Sequence, residues 1–340
     1  MELVEPAHGR PEVSTDPAAP APAGRGVRAR LVSRVVALAR PVVAVLVFAA
    51  IAYAIASEWS GVRGALHTLD WQSVALSFAA IIAGTMTSLM AWRSLLASEG
   101  YPLPIPAAAR IFFVGQLGKY LPGSVFSIVL QMELGKRAGV PRARAFTTSL
   151  AWVGLSLSTG LCVGLIGFPV LASTGDRKVW ALLAVLPLAV AASTPPILTR
   201  LVNLILKTAR KDPLPQPLTW TGVARAATWL TATWVLFGLH LWLLANALGA
   251  PGWSGITRCI GGFALAMAAG VLFIVVPSGA GVREAIIVTA LAPVMTTGQA
   301  LGIAVVSRAL FIAADVTTAG TAALSGIHTL RRLRTHARGC

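Results

Sequence analysis

The chain is short of charge. Asp, Glu, Lys and Arg make up 12% of its 340 residues, about half of what a soluble globular domain carries. Acid is scarcer than base, with 12 Asp and Glu against 28 Lys and Arg and a net charge of +16. A charge deficit spread over several long apolar runs excludes an ordinary water-soluble domain. Cysteine is scarce too. Cys162, Cys259 and Cys340 have neither metal-site nor disulfide-framework spacing, and Cys340 lacks a prenylation context. Catalytic motifs are missing: there is no Gly-x-Ser-x-Gly, no His-Glu-x-x-His and no phosphate loop ending in Gly-Lys-Ser/Thr. The expectation is therefore no enzyme, no metal and no cofactor, with any transport passive or driven by ion or lipid gradients.

What is present is apolar: 56% of the residues are hydrophobic and the mean hydropathy is +0.75. Transmembrane strands would alternate apolar and polar residues. These runs are instead continuous and rich in Ala, Leu and Val, so the spans are helices, which satisfy their own backbone hydrogen bonds in lipid. The basic residues flank the apolar runs in loops, where they set orientation, and do not form a nucleic-acid surface.

Residues 1–33, rich in Pro, Ala and Gly, are expected to be a disordered cytoplasmic tail and not a signal peptide, because Arg25, Arg28, Arg30 and Arg34 precede a full-length span. A transmembrane domain is expected over 34–330 and a short basic cytoplasmic tail over 331–340. The expected spans are Val35–Ser57, Gln72–Leu96, Ala145–Ala172, Trp180–Leu198, Gly222–Leu248 and Gln299–Gly326. Arg93 can snorkel near the end of the second. A basic, partly amphipathic connector, Thr199–Gln216, carries Arg200, Lys207, Arg210 and Lys211.

Two further apolar regions are interrupted. Ile105–Val140 is broken by Gly118, Lys119, Pro122 and Gly123, and Ile256–Pro293 by Pro277-Ser278-Gly279. The fold class is thus an all-α polytopic membrane protein with about six transmembrane helices plus two Pro/Gly-broken re-entrant hairpins, a pattern compatible with an inverted repeat. Basic loops before the first span, over Lys136–Arg144 and Thr199–Lys211, and at the end of the chain put both termini in the cytoplasm of a multi-pass inner-membrane protein. Eight or ten crossings would place the termini on the same side.

A Pro-Gly break frees backbone groups that lipid cannot satisfy, so it belongs where protein or a water-filled cavity surrounds it. New helices starting near Ser124 and near Ser278-Gly279 would present free N–H groups and a partial positive charge. If they meet near the midplane, Lys119 and Arg283 converge with them as a receptor for a phosphate. The candidate lipid-binding residues are Lys119, Tyr120, Pro122, Gly123 and Ser124 in the first break and Pro277, Ser278, Gly279, Gly281, Arg283 and Glu284 in the second. The competing reading is of kinked helices packed through small residues. Intramembrane charges form a second group. Glu133 and Arg137 have the spacing of a helical ion pair. Arg308 and Asp315, seven apart on one face, can reach Glu284 and Arg283 as a structural network or a relay. Arg110 and Arg258 are expected near interfaces, and His240 as a packed polar residue.

Gly118-Lys119-Tyr120-Leu121-Pro122-Gly123-Ser124, Arg137-Ala138-Gly139-Val140-Pro141 and Pro277-Ser278-Gly279-Ala280-Gly281-Val282-Arg283-Glu284 resemble signatures of the lysylphosphatidylglycerol synthase transmembrane-domain family, over about residues 35–330. The resemblance implies a flippase-like domain with re-entrant helices that handles phospholipids or polyprenyl-phosphate-linked lipids. In full synthases a soluble aminoacyl-transferase domain follows; here the chain ends at Cys340, so synthase activity is not expected. Many relatives carry an acid and an Arg soon after the first Pro-Gly, whereas Ser127–Leu130 is uncharged, and Ser278 stands where Gly is common. Two functions follow: translocation of a lipid with an anionic headgroup, or a non-catalytic membrane partner that positions a lipid-modifying glycosyl- or aminoacyl-transferase. The sequence leaves the oligomeric state open.

Overall fold

A computed structural model describes residues 53, 56–120, 126–165, 187–208, 213–214, 216–249, 252–272 and 279–336, without the side chains of 253, 254 and 326–336. Contacts divide the chain into 1–42 and 43–340, and every described residue lies in the second unit. The tail 1–33 and nearly all of the expected first span lie outside the described residues.

Among the described residues the regular structure is all helical: α1 Trp59–Thr68, α2 Trp71–Ser98, α3 Ile105–Gln116, a 3₁₀ turn Leu117–Tyr120, α4 Phe126–Arg137, α5 Arg142–Gly164, α6 Pro195–Thr208, α7 Trp220–Ala247, α8 Gly252–Leu272, α9 Val282–Leu291 and α10 Thr297–His336. The helices begin where local chemistry starts them. Asp70 has extended backbone and its carboxylate accepts from the Ser73 N–H (2.9 Å) ahead of α2, and Thr219 accepts from the Gly222 N–H (3.2 Å) ahead of α7. The Ser73 hydrogen bond holds the exposed Asp70 carboxyl below its ordinary range. Pro104 caps α3, with Pro106 in its first turn, where no N–H is needed.

Among the described residues five helices are long and apolar enough to cross a bilayer: α2, α5, α7, Gly255–Leu272 of α8 and Thr297–Ser325 of α10. The chain is a multi-pass membrane protein, as the apolar runs required. α2 and α7 pack together along the bundle, and α7 also packs on α8 and α5. Gly84 admits the Phe237 ring and Gly238 lies on Ile260. Such close approach is how helices associate in lipid, where apolar side chains gain little from leaving it. Polar side chains add ties: Thr87 and Thr233 hydroxyls are 2.8 Å apart, and Trp234 Nε1 donates to Thr159 Oγ1 (3.1 Å). At the end of α2, Glu99 accepts from Thr147 and Thr148 of α5 (3.0 and 2.9 Å), with Arg144 Nη1 at 3.5 Å. Burial pushes the Glu99 carboxyl up, against those hydrogen bonds and Arg144.

Several expectations change. α5 starts at Arg142 and its regular turns end at Gly164, and residues 166–172 of the expected span lie outside the described residues. The expected fourth span does not run unbroken to Leu198. Its residues 180–186 are not described, 187–192 are helical, and Pro195-Pro196 open a new helix that runs through the expected connector to Thr208. Proline disfavours helix at the residue before it and suits a first turn, which explains the break. The expected basic tail continues α10 to His336. Arg93 does not snorkel outward: its Nε donates to the Leu103 carbonyl (2.7 Å), closing the α2–α3 loop. The two broken regions also differ. α3 has 12 residues, about 18 Å of helix against a hydrocarbon core of about 30 Å. In the second region α8 alone is long enough to span.

Candidate functional site

In the first broken region Gly118 is where two backbones come closest. A Cβ there would stand 2.5 Å from the Ser127 nitrogen, so only glycine lets α4 lie against the 3₁₀ turn. This turn delivers Lys119 and Tyr120. The second region turns through Gly279 (φ +62°) and Gly281 (φ +84°), both in the left-handed range that glycine tolerates. Gly281 caps α9, which delivers Arg283 and Glu284. Both pairs meet one stripe of α10: Ser307, Phe311 and Asp315 recur every four residues, with Arg308 beside them.

Asp315 Oδ2 receives Lys119 Nζ at 2.6 Å and the Tyr120 hydroxyl at 2.5 Å. Arg308 Nη1 lies 2.5 Å from Glu284 Oε1, while Glu284 Oε2 accepts from the Gly281 N–H at 2.7 Å. Arg283, only 7% exposed, donates through Nη2 to Ser307 Oγ (3.2 Å). Its guanidinium sits over the Phe311 and Phe263 rings, 4.4 and 4.8 Å from their centroids, a desolvated cation–π arrangement. Ser307 Oγ is also 2.9 Å from His240 Nε2. His240 Nδ1 faces the Phe237 carbonyl, which can only accept, so Nδ1 carries the proton and Nε2 accepts from Ser307. His240 is thus the packed polar residue its apolar helix suggested, and it orients the hydroxyl that holds Arg283.

Of the proposed contacts, Arg308–Glu284 forms. Asp315 pairs with Lys119 and Tyr120 instead of Arg283, because the 3₁₀ turn packs on α10 at that level. Glu133 does not pair with Arg137. It takes Arg142, since the tight turn through Gly139 (φ +82°) returns the start of α5 to α4. Arg258 donates to the Ala290 carbonyl (3.3 Å), tying α8 to α9. The N-terminus of α9 comes at Val282, not at Ser278-Gly279, and Glu284 occupies the N–H of its cap. Pro122, Gly123, Ser124, Pro277 and Ser278 lie outside the described residues. Ser307, Phe263 and Phe311 were not singled out from the sequence. The four-residue spacing of Ser307, Phe311 and Asp315 would have flagged the α10 face. Nothing local flags Phe263, which reaches the site from α8. Among the described residues no three His, Cys, Asp or Glu side chains gather as a metal site.

A chain of this architecture, with two glycine-turned segments carrying charge to one helix, has a counterpart among protein families. The family described as the lysylphosphatidylglycerol synthase TM region matches residues 38–316. The chain belongs to that family. Comparison with curated proteins gives no match. The matched range takes in both glycine turns and ends one residue beyond Asp315, so the whole charged cluster lies inside it.

Proposed function

We propose that this family member translocates a lipid with an anionic headgroup, a phospholipid or a polyprenyl-phosphate-linked lipid, and that the cluster on α10 receives the headgroup. The carrying observation is the charge balance. Lys119, Arg283 and Arg308 stand against Asp315 and Glu284, and both carboxylates are engaged by other cations at 2.5–2.6 Å. The surplus cation is Arg283, buried and held by a hydroxyl and two rings. An ion in an apolar bundle is costly unless compensated, and such residues mark substrate paths. Arginine is also the side chain whose fork matches a phosphate. The site thus offers an anion receptor.

The basic residues flanking the helices support the orientation proposed with this function, both termini in the cytoplasm of the inner membrane. The short α3 supports a re-entrant first hairpin. The direct test is scrambling of fluorescent phosphatidylglycerol by the full chain in liposomes. Arg283→Gln should slow it about tenfold or more, because a hydrogen bond to a charged group contributes about 1.5–3 kcal/mol. Unchanged scrambling at equal protein content would refute the site. No scrambling by the unaltered chain, together with co-purification of a glycosyl- or aminoacyl-transferase, would favour the partner role instead.

A further inference from the structure

Asp315 is an anion already seated where the headgroup site has its more accessible cation. Its side chain is 8% exposed, whereas that of Lys119 is 34% exposed. One oxygen, Oδ2, takes both Lys119 Nζ and the Tyr120 hydroxyl. The two donors sit side by side on the 3₁₀ turn, and the acceptor is on α10, so this carboxylate bolts the first broken segment to the last helix. A phosphate added next to Lys119 would meet the negative charge of Asp315 across a poorly screened gap, and like charges at such range repel strongly. The two anions therefore compete for one set of donors. The other carboxylate, Glu284, is tied to Arg308 and to the Gly281 N–H of its own helix cap, and has no such contact with the turn.

We propose that Asp315 is an internal counter-ion which a phosphate headgroup displaces from Lys119 and Tyr120, so that anion binding unlatches the 3₁₀ turn from α10. This rests on the lipid-site reading above and adds its coupling: the bound phosphate replaces the contact that ties the 3₁₀ turn to α10. The exchange is near balance by construction. Lys119 is already ion-paired, so the phosphate exchanges one oxyanion partner for another. Asp315 then sets the affinity threshold, discriminating against headgroups that carry no net negative charge to take its place.

The test is binding of short-chain phosphatidylglycerol to the full chain in detergent by titration calorimetry, with phosphatidylcholine and inorganic phosphate as comparison ligands. Asp315→Asn keeps the shape and removes the competing charge, and should tighten phosphatidylglycerol binding about tenfold, the size of a typical coupling between sites. Asp315→Ser, which also removes the charge and leaves Lys119 and Tyr120 in place, should tighten it likewise and serves if Asp315→Asn does not fold. Adding Lys119→Ala to Asp315→Asn should abolish the gain. Equal gains for phosphatidylglycerol and inorganic phosphate identify the phosphate as the recognised group, whereas a gain for the lipid alone means the glycerol backbone and tails are read as well. If Lys119→Ala weakens binding but Asp315→Asn and Asp315→Ser leave it unchanged or weaker, the counter-ion idea falls and the lipid site stands. If Lys119→Ala and Arg283→Gln also leave binding unchanged, both fall.

Discussion

Ser307 shows how one small side chain can serve a cation it does not neutralise. Its oxygen accepts from Arg283 while its hydrogen goes to His240, so it partners one nitrogen of each of two buried groups. Leaving a buried polar group unsatisfied costs about 1–3 kcal/mol. Ser307→Ala should therefore lower the unfolding temperature in detergent, measured by differential scanning fluorimetry. It should also weaken anionic-lipid binding by misdirecting Arg283, although the alanine touches no ligand. Ser307→Thr, which keeps the hydroxyl, should recover most of the binding. A stability loss without any loss of binding would make Ser307 a packing residue alone.

At the scale of elements, the decisive features are the places where two backbones touch. Gly118 against Ser127 brings the first broken segment back on itself, and Gly279 against Gly270 does the same for the second, where a Cβ would stand 2.5 Å from the Gly270 Cα. Gly118→Ala must push α4 off the turn that presents Lys119 and Tyr120. The expected cost is about 1–3 kcal/mol, as for other overpacked sites, read as a lower melting temperature and slower scrambling. Gly64→Ala is the matched control: nothing lies within 4 Å of its Cβ, so it should be neutral or slightly stabilising, by up to about 1 kcal/mol of helix propensity. α6 carries a separate lesson. Leu198, Val202 and Leu206 pack inward, while Leu201, Leu204 and Ile205 are exposed with Arg200 and Lys207 along one edge. A helix with apolar side chains on both sides and cations at the margin suits the membrane interface.

For the whole molecule, the proposed orientation makes α6 a cytoplasmic marker. Lys207→Cys, in a chain freed of its native cysteines, should react with a membrane-impermeant maleimide only after the inner membrane is opened. Labelling in intact spheroplasts would reverse the topology. The apolar outside of the bundle, including Leu76, Met86, Val235, Ile312 and Val316, is the surface a bilayer covers. The polar side chains of the proposed site face inward onto α10.

Membrane residence, helical class, the starts of α2 and α7 to within two residues, and the two broken regions were legible in the sequence, because each depends on local quantities: apolar run length, caps, and the conformations open to Gly and Pro. Lys119, Tyr120, Arg283 and Glu284 could be picked out as candidates for the same reason, being charged or polar beside a break. Their partners were not. Whether Asp315 faces Arg283 or Lys119 depends on the level at which the 3₁₀ turn meets α10, and whether Glu133 takes Arg137 or Arg142 depends on the turn through Gly139. Phe263 and His240 lie on helices that reveal no purpose until α8, α7 and α10 are packed together. Charge in an apolar medium must find compensation, which the sequence alone dictates. Which group supplies it is a matter of distances between segments remote along the chain, and only the tertiary structure decides them.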